Sequence, residues 1–334
     1  MYKERVRECA KEKTTLNDPA HDFNHALRFW ANAEFIAKRE HERHYAVREA
    51  DRDVLFATSF LHDIFCPPKN DPLSDKAPQI SAEMAKEILN NNPDFPKDKI
   101  EAVKEAIANC SFSNSEPPRS PEEAIARDAD LLEQTGAIAF ARTCTSGGAM
   151  GRALYNPDDP LCERRSPESL KYTFDFFRER SFVVTDKMNT LTGQRIAMHR
   201  TEYLIGQQRT NKPKPSLFEE IRRELEELEK ATLTCSTHDL ELLERTGVIA
   251  FAKFCMKGGE IGLPIYEPLD PFSERHLYLP NHPKFIFDFF VGPEPVYVVS
   301  KMIEDPEAKK SARRQTKFLR DNLVEELRRE LQGL

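Results

Sequence analysis

The chain of 334 residues holds only 12 glycines, has no C-x-x-C pair among its 7 cysteines, and contains no apolar run approaching the length of a membrane span. So little glycine excludes fibrous and low-complexity classes. Without C-x-x-C spacing neither a zinc cage nor a disulfide framework is indicated, and the cysteines read as reduced thiols in a reducing compartment. A basic excess is also missing. The 49 Lys and Arg stand against 56 Asp and Glu, a formal net charge of -7, so no extended nucleic-acid surface is expected. The opening residues, MYKERVRECAKEK, are charged from residue 3 and carry no signal-peptide core, which predicts a cytoplasmic protein without membrane contact. Apolar/polar alternation long enough for a sheet is absent. What is present, 39% apolar and 31% charged residues, is the composition of a soluble, helix-rich globular protein of two domains or one large one.

Helical periodicity dominates. A helix is expected over 19–40, with Asp18 as N-cap, Pro19 at its first position, and Ala26, Leu27, Trp30, Ala33 and Ile36 on one face. A second spans 51–65 with Val54, Leu55, Phe60 and Leu61 inward. Three prolines make 67–79 a loop. Amphipathic helices follow at 80–90 and 98–109, then a loop at 113–120, then a helix opened by Pro121 and two Glu. Phe182 to Val184 and Val296 to Val299 read equally as short strands or buried helix.

The later part of the chain repeats. Residues 130–141 (DLLEQTGAIAFA) match 241–252 (ELLERTGVIAFA) at nine of twelve positions. Gly147-Gly148 matches Gly258-Gly259, Cys144 matches Cys255, Tyr155 matches Tyr266, Asp159-Pro160 matches Asp270-Pro271, and FDFF at 174–177 returns at 287–290. MNTLTG at 188–193 aligns with MIEDPE at 302–307. The period of about 111 residues is too long for a solenoid unit and reads as a duplicated half-domain. Two segments are expected: 1–230, a complete domain, and 231–334, a degenerate repeat of its C-terminal half, with the junction at 206–215 or at the charged helix 216–230.

The chemistry-bearing residues lie before the repeat. His21 and His25 stand four apart on an expected helix and so share a face. His62-Asp63 ends the next apolar helix, and Asp128 and Asp130 follow on a later one. Imidazole and carboxylate together suit a borderline or hard divalent ion. Histidines and acids among apolar residues must be ligated, paired or neutral. From the residues alone, a metal site and ordinary core packing both satisfy that demand. His41 and His44 in REHERHY read as a solvated face.

The ordered series His25, His62-Asp63, Asp130 resembles the H…HD…D signature of HD-domain metal-dependent phosphohydrolases. The runs HDFNHALRFW at 21–30, LFATSFLHDI at 55–64, CSFS at 110–113, DADLLEQTGAIAFART at 128–143 and MNTLTG at 188–193 resemble the compact stand-alone HD hydrolases of the nucleotide pyrophosphatase-like type. The resemblance covers about residues 15–205. It implies an all-α HD fold with a mostly helical partial repeat appended. It maps one divalent ion (Mn, Mg, Fe, Co, Ni or Zn) onto His25, His62, Asp63 and Asp130, with Asp130 preferred to Asp128 for its A-D-x-L context. Asp63 and Asp128 are the candidate proton acceptors, provided other contacts do not saturate them. Arg28, Lys69 and Lys76 are the candidate contacts to substrate phosphate. His21 reads as an outer partner of the site. Ala77 and Cys110 stand where relatives carry histidines that hold a second metal or substrate phosphate, which argues for a mononuclear site. In the repeat, Glu241 replaces Asp130 and no H…HD precedes it, so residues 231–334 build no site of their own. The expected activity is metal-dependent hydrolysis of a nucleotide or similar small phosphorylated molecule. The alternative is a catalytically degenerate HD protein serving as a binding or scaffold module. The repeat points to a monomeric pseudo-dimer.

Overall fold

The computed structural model describes residues 1–43, 49–68, 71–206, 216–266, 285–287 and 296–332. The helices in chain order are α1 (Tyr2–Lys13), α2 (Phe23–Arg43), α3 (Arg52–Leu61), α4 (Ala77–Asn90), α5 (Ile100–Asn109), α6 (Pro121–Leu132), α7 (Gly136–Ala149), α8 (Leu191–Ile205), α9 (Leu217–Thr234), α10 (Thr237–Leu243), α11 (Gly247–Glu260), α12 (Val296–Met302), α13 (Pro306–Phe318) and α14 (Glu325–Gln332). The protein is all-α. Among the described residues the only β pairing is one isolated bridge, Ala153 with Tyr172. Val184–Lys187 is a 3-10 turn and Val296–Met302 is helix, which settles the two segments whose periodicity was ambiguous. No helix of the described residues is long and apolar enough to cross a membrane.

The chain forms two compact units. Of the described residues, the first comprises those within 1–135 and 183–199, and the second those within 136–182 and 200–332. This division falls between α6 and α7, not near residue 230, because α7 packs with the repeat that follows it.

The first unit buries two clusters. Val6, Phe56, Phe60, Ala82, Leu89, Val103 and Ile107 pack α1, α3, α4 and α5 together. Phe29, Ala33, Ile36, Leu55, Ile125, Ala129 and Leu132 bind α2 and α3 to α6. Each large side chain so buried contributes about 1.5–3 kcal/mol. The expected single helix over 19–40 is broken. Asp18 caps a short 3-10 turn, Pro19–His21, accepting from the Ala20 amide at 2.8 Å, and the chain is extended at Asp22. Asp22 then caps α2, its Oδ1 accepting from the His25 amide at 3.1 Å. Two capping aspartates four residues apart give the backbone two starts, and the second takes the helix. His21 and His25 therefore do not share one helix face. Asp51 and Ser120 cap α3 and α6 in the same way, accepting from the Val54 amide at 3.2 Å and the Glu123 amide at 3.2 Å.

Within the second unit α7 and α11 cross with their backbones in close approach. A Cβ on Gly148 would lie 1.8 Å from the Met256 carbonyl oxygen, and a Cβ on Gly259 would lie 1.9 Å from that of Thr145. Glycine is the one residue that fits at both places. Phe140 and Phe251 stack near the crossing, centroids 6.4 Å apart. The first amides of each helix are capped by a distant buried carboxylate. Glu330 accepts from Ala137 and Ile138 at 2.7 and 2.9 Å, and Glu224 accepts from Val248 and Ile249 at 2.7 and 2.9 Å. Burial pushes Glu224 up to about 8 and Glu330 up to about 7. The turns that follow also recur: Thr173 and Phe174 amides donate to Ala153 and Leu154 carbonyls, as Ile286 and Phe287 donate to Pro264 and Ile265. Asp270-Pro271, residues 288–290 and 207–215 lie outside the described residues.

Candidate metal centre

His62 follows the last residue of α3, and Asp63 begins the turn beyond it. That turn is pinned by fully buried Ser81 on α4, whose hydroxyl accepts from the Phe65 amide at 3.1 Å and donates to the Phe65 carbonyl at 3.2 Å. His25 comes from the first turn of α2. The Nε2 atoms of His25 and His62 face each other at 3.0 Å. Asp63 Oδ2 stands 3.5 Å from His25 Nε2 and 3.2 Å from His62 Nε2. Donor atoms of His25, His62 and Asp63 all lie within 4.8 Å of one another. Asp130, on α6, adjoins this group through His25, its Oδ1 at 3.5 Å from Nε2.

The other ring nitrogens are committed. His62 Nδ1 meets the Ser59 carbonyl at 3.0 Å, and His25 Nδ1 meets the Glu133 carboxylate at 3.2 Å. Both partners are acceptors, so Nδ1 carries the proton on each ring and Nε2 presents a lone pair. Two lone pairs aimed at each other from 3.0 Å are repulsive unless a proton, shared as an N–H···N bond, or a metal cation lies between them. That is the donor set of a divalent ion, with each imidazole oriented by an outer acceptor. Phe29 packs edge-on against His62 at 4.6 Å and fixes the ring from behind. Burial pushes the Asp63 carboxyl up, while positive charge on the neighbouring His62, His25 and His21 rings lowers it well below the ordinary carboxylate range; with Nε2 deprotonated, a cation between the rings would take that role.

Glu133 was not legible as a site residue. It lies just past the end of α6, three residues beyond Asp130, with 2% of its surface exposed. That spacing, which puts it on the Asp130 face, is the one sequence signal by which it could have been found. Arg28 Nε donates to the same Glu133 oxygen at 2.7 Å, and Arg28 is 2% exposed. Arg28, expected at substrate phosphate, has its Nε committed to a buried ion pair that steadies Glu133 behind His25. A buried guanidinium needs such a partner.

Asp128 also departs from expectation. On α6 it stands two residues, about 200° of turn, from Asp130. Its Oδ1 accepts from the Asn189 amide at 2.7 Å and side chain at 2.8 Å, and its Oδ2 from the Thr190 amide and hydroxyl, both at 2.7 Å. Burial raises its pKa against the pull of these donors. A Cβ on Gly193 would lie 2.4 Å from the same carboxylate. Asp128 therefore anchors the start of α8 and has no capacity left as a proton acceptor. The repeat keeps this device: Asp239 accepts from the Glu304 and Asp305 amides at 2.8 and 3.0 Å. Thr190 thus corresponds to Asp305, which caps α13, so the expected pairing of MNTLTG with MIEDPE shifts by one residue. The anchoring aspartate persists where the adjoining one has become Glu241.

Cys110 is buried, and its thiol donates to the Ile107 carbonyl. Burial first, then the Asp130 and Asp63 carboxylates, push it well above its usual range, so it stays a neutral thiol. Ala77 opens α4. Lys76 is exposed in the turn just before it, and Lys69 lies outside the described residues.

Residues 22–135 match the HD domain family, a span that runs from the cap of α2 to the end of the first unit's main segment. The chain is 23% identical over 208 residues to the protein YpgQ of Bacillus subtilis, covering 60% of this chain and 88% of YpgQ. Among solved structures, a protein from Lactobacillus plantarum is 26% identical with a TM-score of 0.46, over 60% of this chain and 89% of that one. YpgQ in complex with ADP is 21% identical with a TM-score of 0.46, over 68% and 96%. An HD-superfamily hydrolase from Bacillus thuringiensis is 23% identical with a TM-score of 0.44, over 60% and 90%.

Proposed function

From the match of residues 22–135 to the HD domain family we propose that the protein hydrolyses a phosphate ester or anhydride of a nucleotide or similar small molecule with the help of one divalent ion held by His25, His62, Asp63 and Asp130. The observation that carries this reading is the opposed pair of Nε2 lone pairs, 3.0 Å apart and flanked by carboxylates. A bound divalent ion supplies polarisation of a phosphoryl oxygen and a water acidic enough to attack at neutral pH. The chain's own residues do the rest. His25 and His62 hold their tautomers through Glu133 and Ser59. Asp63, whose Oδ2 stands beside both Nε2 atoms, would help hold the ion and orient a water by accepting a hydrogen bond from it. Lys76, exposed in the 3-10 turn that opens α4, is the described basic residue proposed to meet substrate charge; Lys69, the other candidate from the sequence, lies outside the described residues.

Metal content of wild type beside His62→Ala, with turnover of a nucleotide panel in added Mn, tests this. ADP belongs in that panel, since YpgQ is a protein seen with it. An ion lost in the variant together with turnover supports the proposal. An ion without turnover on any phosphorylated compound favours the alternative, a binding or scaffold module, to which the loss of histidines at Ala77 and Cys110 lends weight.

We also propose that residues 231–334 replace the half that a partner subunit would contribute, making the protein a monomeric pseudo-dimer. The reciprocal glycine contacts of α7 and α11 and the exchanged caps of Glu224 and Glu330 support this reading. A solution mass of one chain across the micromolar range is the expected result; a mass of two chains contradicts it.

A further inference from the structure

Beside the centre just described lies a second group of donors that shares only Asp63 with it. His21, Asp63 and Cys66 bring one donor atom each within 4.8 Å of one another, and all three are partly exposed. The group is built, not incidental. Asp18 Oδ2 meets His21 Nδ1 at 2.9 Å while Oδ1 accepts from the Ala20 amide. An acceptor on Nδ1 puts the proton there and leaves Nε2 as the lone-pair face, as on His25 and His62. Asn17 then ties the two ends of the group together: its side-chain amide donates to the His21 carbonyl and the Asp63 carbonyl, both at 2.9 Å. The Ser81 clasp on Phe65 fixes the residue before Cys66. Donors around a tetrahedral ion stand about 3.3–3.8 Å apart, so an adjustment of about 1 Å closes the set. The His21 and His25 rings are edge-on at 5.8 Å, which places the two groups side by side with Asp63 common to both.

We propose that His21, Asp63 and Cys66 form a second divalent-cation site, with the Asp63 carboxylate shared between it and the site of His25 and His62. The inference rests on the reading that the first site holds an ion. A thiolate and an imidazole select a borderline, sulfur-tolerant ion such as Zn, Co or Fe over Mg. On binding, the Cys66 sulfur–hydrogen bond is exchanged for a sulfur–metal bond and the proton goes to solvent. Two ions sharing one carboxylate would clamp a phosphoryl group from both ends.

The test is titration of metal-free full-length protein with Co(II), following bound cobalt and the near-ultraviolet thiolate-to-cobalt charge-transfer band. Wild type is expected to take up about two equivalents, with the band accompanying one of them. Cys66→Ser should abolish the band and reduce uptake to about one equivalent, and His21→Ala should weaken the band-forming step by about tenfold or more. His62→Ala, by contrast, should spare the band while losing the other ion. Uptake of about one equivalent by wild type with no band overturns the second site and leaves the proposed hydrolase standing. A band that survives Cys66→Ser comes from another cysteine and also overturns it. Failure to bind any cobalt removes both readings together.

Discussion

Replacing Asp128 by alanine separates an anchor from a catalyst. The carboxylate accepts four hydrogen bonds, two at each oxygen, from the Asn189 and Thr190 amides and side chains, in a place from which solvent is excluded. A hydrogen bond to a charged acceptor contributes about 1.5–3 kcal/mol, and removing one partner of a buried charged network typically costs about 3–5 kcal/mol in total, since the bonds are not additive. We take about 4 kcal/mol for Asp128→Ala. The only tryptophan, Trp30 on α2, lies in the same compact unit, so its fluorescence reports unfolding of that unit and not of the other. With a urea dependence of about 2 kcal/mol per molar, the midpoint should fall by about 2 M. Metal bound per folded chain should be unchanged. Asp130→Ala should do the reverse, holding the midpoint and losing the ion. A wild-type midpoint for Asp128→Ala, accompanied by loss of metal or turnover, would refute the assignment of Asp128 to structure.

Glu133→Gln should weaken metal binding by about 10- to 100-fold without unfolding the chain, measurable by competition with a chromophoric chelator, because the His25 tautomer loses its charged orienting partner. Gly148→Ala and Gly259→Ala should each destabilise the second unit by about 2 kcal/mol or more, and by similar amounts, since each drives a Cβ into a backbone carbonyl of the facing helix; thermal unfolding of the pair reads this directly. Glu224 and Glu330 titrate upward on folding, from an ordinary 4.5 to about 8 and about 7, because burial penalises their charge. Their stabilising protonated state is therefore fully kept below about pH 4.5 and lost as the pH rises through about 7–8. Melting temperature should decline over that window in wild type, and the double variant E224Q/E330Q should flatten the decline.

Much of this was legible because the first unit states its local rules openly. The apolar period and the caps at Asp51 and Ser120 place α3 and α6 within a few residues. The His25, His62-Asp63, Asp130 series needed only the order of its motifs. Its three-dimensional meeting follows from α2, α3 and α6 packing around Phe29, Leu55 and Ala129. The break at Asp22 was hidden because Asp18 and Asp22 are both competent caps and sequence alone does not say which one the long helix takes. The roles of Arg28 and Asp128 were hidden for another reason. A charged side chain on a helix reads as available for substrate until its burial and partners are known, and those partners, Glu133, Asn189 and Thr190, lie 61 to 105 residues away. The compact units do not follow the repeat, because α7 of the first copy and α11 of the second belong to one core, a packing that the sequence similarity of the copies does not reveal.

The most direct measurement is metal content, in ions per chain, of the purified protein and of His62→Ala, with nucleotide hydrolysis assayed on the same samples in added Mn. Bound divalent metal in wild type, its loss in the variant and parallel loss of turnover is the result predicted from the opposed His25 and His62 nitrogens. A wild-type protein that stays metal-free in excess Mn, Co and Zn would mean that these histidines and carboxylates serve core packing alone.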